Sequence, residues 1–118
     1  MRSFFILAFF ISIPLVAYCQ SIHLVKTGVV TFEPKELTIT AGDTLKWYNE
    51  SEGLHDVVAD DESFSSGDPS LEKWTFIHVF DKPGKYPYFC STHGAKGGIG
   101  MTGVIIVENK KKIKNKGQ

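Results

Sequence analysis

Residues 86–101 read Y-P-Y-F-C-S-T-H-G-A-K-G-G-I-G-M and gather a thiol (Cys90), an imidazole (His93) and a thioether (Met101) on one glycine-rich stretch. Upstream, residues 86–90 are aromatic, and in an extended chain alternate side chains would point to opposite faces. Downstream, residues 102–107 are short, β-branched and apolar, which also reads as a strand. The stretch is therefore expected to close one end of a sheet, held on both sides. Thiolate, imidazole and thioether together suit a soft, redox-active metal, copper above all. They suit zinc poorly, because structural zinc sites prefer several thiolates. One more strong ligand has to come from elsewhere in the chain.

Working outward, residues 1–19 read as a secretory signal peptide. Arg2 gives a basic start, residues 4–16 an almost purely apolar run, and Ala17-Tyr18-Cys19 a small-x-small cleavage pattern. The apolar run falls short of the roughly twenty residues that span a bilayer comfortably. Cleavage after Cys19 is the expectation. Lipidation of Cys19 is the alternative, opposed by Tyr18, which stands where a small residue normally precedes a lipidated cysteine. The mature chain is expected to be periplasmic or extracellular. About a hundred residues remain, enough for one domain over residues 20–108. Formal net charge is zero, which implies no nucleic-acid partner. Of two cysteines in the chain, one leaves with the signal. Cys90 then has no internal disulfide partner in an oxidising compartment, and its choice is between an inert buried thiol and a ligand. His93, three residues on, favours the ligand.

From residue 21 onward short strand-like runs alternate with turn residues: 22–26, 29–32, 37–40, 44–48, 54–59, 74–80 and 85–90. Leu45 and Trp47 fall on one face, as do Trp74, Phe76, His78 and Phe80. Ala41-Gly42-Asp43 is a turn, and Asp81-Lys82-Pro83-Gly84 reads as a tight turn closing a hairpin. Residues 60–71 form a long surface connection with room for one helical turn. Seven or eight short strands and no long amphipathic helix mean an all-β sandwich or barrel with crossover connections. Residues 109–118 carry five lysines and read as a disordered, solvated tail. Contact with an anionic membrane surface is the other reading of that tail.

Three histidines remain to complete the metal set. His23 and His78 lie within strands and read as structural. His55 opens a short strand after a polar, glycine-containing loop, which puts it at a strand end where it can meet a loop from another strand. Here the sequence resembles the cupredoxins of the plastocyanin/azurin type. Phe32-x-Pro34, Ile39-x-x-Gly42-Asp43-Thr44 and Trp47-x-Asn49 resemble that family's early strands, and His55-Asp56-Val57-Val58 the segment of its first histidine ligand. Pro83-Gly84-x-Tyr86-x-Tyr88-x-Cys90-x-x-His93, ending at Met101-x-Gly103, resembles its ligand loop.

The resemblance implies a Greek-key β-sandwich holding one type 1 copper ion that cycles between Cu(I) and Cu(II). By position, His55, Cys90 and His93 would form a trigonal plane and Met101 a long axial ligand. Two departures stand out. His93 and Met101 are further apart than in plant plastocyanins, and Asp56 stands where the family usually has Asn. An anionic Asp56 is expected to favour Cu(II). The resemblance implies a non-enzymatic, monomeric carrier of single electrons that meets redox proteins through small transient interfaces. The alternative is a copper delivery or storage protein. Asp60-Asp61-Glu62 is either an acidic docking patch or a solvated loop.

Overall fold

The computed structural model describes residues 4–14 and 20–111. Eight strands follow in order: β1 Ile22–Thr27, β2 Phe32–Glu33, β3 Glu36–Thr40, β4 Thr44–Asn49, β5 Val58–Ala59, β6 Trp74–Val79, β7 Gly84–Ala95 and β8 Ile99–Glu108. They form two four-stranded sheets, in the orders β2-β1-β4-β6 and β3-β8-β7-β5. The all-β sandwich expected from the alternating runs is the observed fold. The chain changes sheet repeatedly, and these crossovers produce two parallel pairs, β1 with β4 and β3 with β8. Among the described residues no helix is long and apolar enough to cross a membrane.

The core follows from strand alternation. Along β4, Leu45, Trp47 and Asn49 point inward and are buried while Thr44, Lys46 and Tyr48 stay half-covered. Trp47 is the centre of an aromatic cluster, with ring centroids 5.4 Å from Phe76 and Tyr88, 5.5 Å from Phe64 and 6.3 Å from Phe80. Such pairs add about 0.5–1.5 kcal/mol each beyond the area they bury. Burial also pushes the Tyr88 phenol far above its usual range. Tyr88 pairs across the ladder with Gly103, and a Cβ there would lie 2.3 Å from the Tyr88 ring. Glycine at position 103 is what leaves room for that ring.

Four expectations are corrected. Residues 29–31 form a turn, closed by Gly28 N–H donating to Thr31 O at 2.7 Å, so the second strand is only Phe32–Glu33. Residues 54–57 are not a strand, and His55 holds its place through an isolated bridge to Ser70. Residues 60–71 contain no helical turn; they fold back through that bridge and a second one between Val58 and Ser65. Finally, the turn at residues 81–84 does not close a hairpin. Phe80 sinks into the core and exchanges backbone hydrogen bonds with Gly42 and Asp43 at the β3–β4 turn. That pulls the chain to the sandwich edge, and β7 resumes in the opposite sheet. His78 is structural as read, packed 4.8 Å from Phe80 and 5.0 Å from Phe64.

His23 is also structural. Its Nε2 lies 2.9 Å from Asp43 Oδ2, while the same carboxylate accepts the N–H groups of Thr40 (3.1 Å) and Ser21 (3.3 Å). Burial alone would raise the Asp43 pKa, but His23 and the two backbone donors outweigh it and hold it below the ordinary carboxylate value. A depressed folded pKa favours the folded state above the unfolded pKa near 4, and that contribution is lost as pH falls through the folded value. Asp43→Ala is therefore expected to lower stability by about 1–3 kcal/mol at neutral pH. Its deficit relative to wild type should close as pH falls through the folded value. Urea unfolding of both proteins along a descending pH series checks this.

Candidate metal centre

The β7–β8 pair is an ordinary antiparallel ladder from Gly84↔Val107 to Phe89↔Thr102, and it resumes at Gly94↔Gly100. Between these points the four residues from Cys90 to His93 face the single residue Met101. The surplus leaves the ladder as a bulge, which is how a strand re-aims side chains. The glycine-rich stretch after it is not an open loop but a hairpin, with Ala95 paired to Ile99 and the tip at residues 96–98. This hairpin returns the chain at once to β8, so Met101 stands across the ladder from the bulge despite the long spacing after His93. Met101 is buried, 2 % exposed, directly across from the bulge.

The bulge faces His55. His55 Nδ1 lies 3.7 Å from Cys90 Sγ, and His93 Nδ1 lies 3.6 Å from the same sulfur. One donor atom from each of the three residues falls within 4.8 Å of the others. A nitrogen donor about 2.0–2.1 Å and a sulfur donor about 2.3 Å from one ion, spread at 120°, stand roughly 3.7–3.8 Å apart. The two nitrogen–sulfur distances match that spacing, so the three residues fit a shared metal ion. His55 and Cys90 are buried and His93 is exposed. Burial pushes His55 below the ordinary histidine range, with neighbouring His93 adding to the effect and Asp56 and the Gly28 backbone opposing it. A neutral imidazole is the ligating form. Its Nε2 is buried without a hydrogen-bond partner and packs so closely on Gly53 that a Cβ there would lie 2.4 Å from it.

Two ties flank His55 and join it to the bulge. On one side Leu54 O accepts a hydrogen bond from Thr92 Oγ1 at 2.5 Å. The same hydroxyl lies 3.2 Å from Cys90 Sγ and 2.9 Å from His93 Nδ1. On the other side the buried Asp56 accepts from Ser91 N–H through Oδ1 and from Ser91 Oγ through Oδ2, both at 2.6 Å. The two residues between Cys90 and His93 thus each hold a neighbour of His55. Reading the sequence did not single out Ser91 or Thr92; their only signal was their position inside Cys-x-x-His. The acidic run plays a similar part. Asp60 Oδ2 accepts Gly97 N–H at 3.0 Å at the hairpin tip, and Glu62 lies 3.5 Å from Lys96.

Over residues 20–108 the sequence matches the family of copper binding proteins described as plastocyanin/azurin. The chain belongs to that family. Relatives in the plastocyanin/azurin family include the plastocyanin of Scenedesmus fuscus, 34% identical over 92 residues, covering 70% of this chain and 91% of the relative. The plastocyanin of Nostoc punctiforme is 34% identical over 96 residues, covering 69% of this chain and 67% of the relative. Against the chloroplastic plastocyanin of Tetradesmus obliquus the chain spans only 61% of the relative's length, at 33% identity. Among solved structures, a purple cupredoxin from Nitrosopumilus maritimus superposes with a TM-score of 0.60 at 26% identity, covering 73% of this chain and 99% of that one. An amicyanin variant superposes with a TM-score of 0.61 at 23% identity, covering 73% and 81%, a likeness of fold alone. The cupredoxin architecture and copper as the metal, both implied by the sequence resemblance, stand.

Proposed function

We propose that this family member is an exported carrier of single electrons, with His55, Cys90 and His93 holding one copper ion and Met101 as a weak axial ligand. The observation that carries this reading is the convergence of two imidazole Nδ1 atoms on one buried sulfur, with only His93 reaching solvent. Bound there, the copper ion supplies a one-electron couple. His55 and Cys90 keep water from two sides of the site. The Leu54–Thr92 and Asp56–Ser91 ties fix the donor atoms in one geometry, which limits ligand movement between oxidation states. Four protein donors complete the coordination of a type 1 site, which favours electron carriage over substrate turnover and over release of copper to another protein.

The His93 edge is the proposed exit for electrons. Its surroundings are the small residues of the hairpin, so a redox protein can approach closely through a small interface. Residues 1–19 are proposed as a removed export signal, with periplasmic or extracellular delivery; Cys19, the alternative lipid-anchor site, lies outside the described residues. So do residues 112–118, most of the lysine tail, for which transient membrane-surface contact is proposed.

The test is twofold. Copper-loaded protein should show an intense visible band from charge transfer between thiolate and Cu(II), and NMR line broadening in mixed-valence samples should report fast self-exchange. A colourless copper complex, or exchange too slow to broaden any resonance, overturns the reading. Met101→Gln is expected to shift both the band and the reduction potential while copper stays bound, because an axial thioether tunes more than it holds. Identical spectra and potentials for the two proteins would remove Met101 from the coordination sphere.

A further inference from the structure

Asp56 is 2 % exposed, and both of its oxygens accept hydrogen bonds from Ser91. The 2.6 Å length of the Ser91 hydroxyl contact is that of a charge-assisted bond to a carboxylate. Yet among the described residues no lysine or arginine pairs with Asp56, unlike Glu33, which meets Lys26, and Glu62, which meets Lys96. A buried charge without an opposite charge is strongly unfavourable, so this carboxylate lacks its counterion. Its position says where that counterion belongs. It follows His55 directly in sequence and is bonded to the backbone N–H immediately after Cys90.

We propose that Asp56 is a positioning residue that acts on the copper by charge, making the oxidised form of the site the electrically neutral one. This rests on the ligand set proposed above. A ligating cysteine is a thiolate, so Cys90 and Asp56 together contribute two negative charges. Cu(II) cancels both, whereas Cu(I) leaves the buried set with one uncompensated negative charge. Removing the Asp56 charge reverses the balance, because Cu(I) with one thiolate is neutral. At an effective dielectric of about 20, a unit charge acting over roughly 6–8 Å changes an equilibrium by about thirtyfold to a hundredfold. The Ser91 bonds orient the carboxylate and tie the bulge to His55, but the preference between oxidation states follows the charge.

Asp56→Asn keeps the shape and the acceptor for Ser91 N–H while removing the charge. Ser91→Ala keeps the charge and removes one tie. Affinities for Cu(II) and Cu(I) are measured for wild type and both variants by competition with chelators, together with the reduction potential. In Asp56→Asn the ratio of Cu(II) to Cu(I) affinity should fall at least tenfold, which is a rise of about 59 mV or more for one electron. Ser91→Ala should stay within threefold of wild type. In the metal-free state Asp56→Asn should melt no lower than wild type, since an uncompensated charge has gone. Should Asp56→Asn fail to fold, Asp56→Ser serves as the neutral variant, with the same tenfold fall expected.

A neutral variant whose affinity ratio stays within threefold of wild type overturns the proposal. So does Ser91→Ala matching the neutral variant, because the effect would then come from the tie. The functional reading fails separately, through a wild-type protein whose copper complex has no thiolate band.

Discussion

Cys90→Ser is expected to abolish the visible colour of the copper-loaded protein entirely. The band arises from electron density passing between a thiolate and Cu(II), and no other sulfur with thiolate chemistry lies among the described residues. A serine hydroxyl in the same place is a poor donor at neutral pH. His55 and His93 remain, their approach still fixed by the Leu54–Thr92 and Asp56–Ser91 ties, so a dication can still bind through two imidazoles. Metal stoichiometry should therefore fall less than absorbance, which should drop to the level of a weak ligand-field spectrum. Absorption spectroscopy alongside metal analysis checks both. Retention of the intense band in Cys90→Ser would remove Cys90 from the site.

Gly94→Val is expected to have a large structural effect on the ligand hairpin. A Cβ at this position would lie 2.7 Å from Ile99 O, 2.7 Å from Met101 O and 2.9 Å from Met101 N. These are backbone atoms of the facing strand and cannot swing aside, so the ladder at Gly94↔Gly100 has to open. Overpacking of this kind costs about 1–3 kcal/mol. Because Gly94 adjoins His93 and presses on Met101, opening moves two proposed ligands, and copper affinity should fall at least tenfold. Gly97→Ala provides the contrast. Nothing lies within 4 Å of a Cβ there, although φ is +85°, so it should lose about 1–2 kcal/mol of stability to backbone strain with copper binding intact. Thermal melting and copper competition titrations separate the two. Equal behaviour of the two variants would mean that the hairpin does not set the ligand geometry.

The elements legible in the sequence were those whose pattern repeats over several residues. Alternation in residues 44–48 and 74–80 gave β4 and β6 with their faces assigned, and the aromatic run before Cys90 gave the start of β7. Strand-like composition misled where tertiary contacts decide. Val29 and Val30 are β-branched but sit in a turn held by Gly28 and Thr31, and the turn after Phe80 crosses between sheets because Phe80 docks against the β3–β4 turn. The chemistry of the site was legible because a soft-metal ligand set uses rare residue types at restricted spacings. Its supports were not. Ser91 and Asp56 are common residues 35 positions apart, and nothing in either marks the other. Gly94 and Gly97 look interchangeable in sequence, yet only Gly94 faces a backbone that forbids a side chain.

His55 and Cys90 are also 35 positions apart, and the sheets that bring them together contain two parallel strand pairs closed by long crossovers. Contacts of such long sequence range form late, because loop closure must precede any reward from packing. An unfolded chain of this sequence offers a metal only the adjacent Cys90 and His93, a two-donor fragment with little power to discriminate. Selectivity for one ion is thus acquired at the last stage of folding, when His55 is carried in between its two ties. Topology therefore sets the order of events: the sandwich closes first, and the metal enters a finished socket.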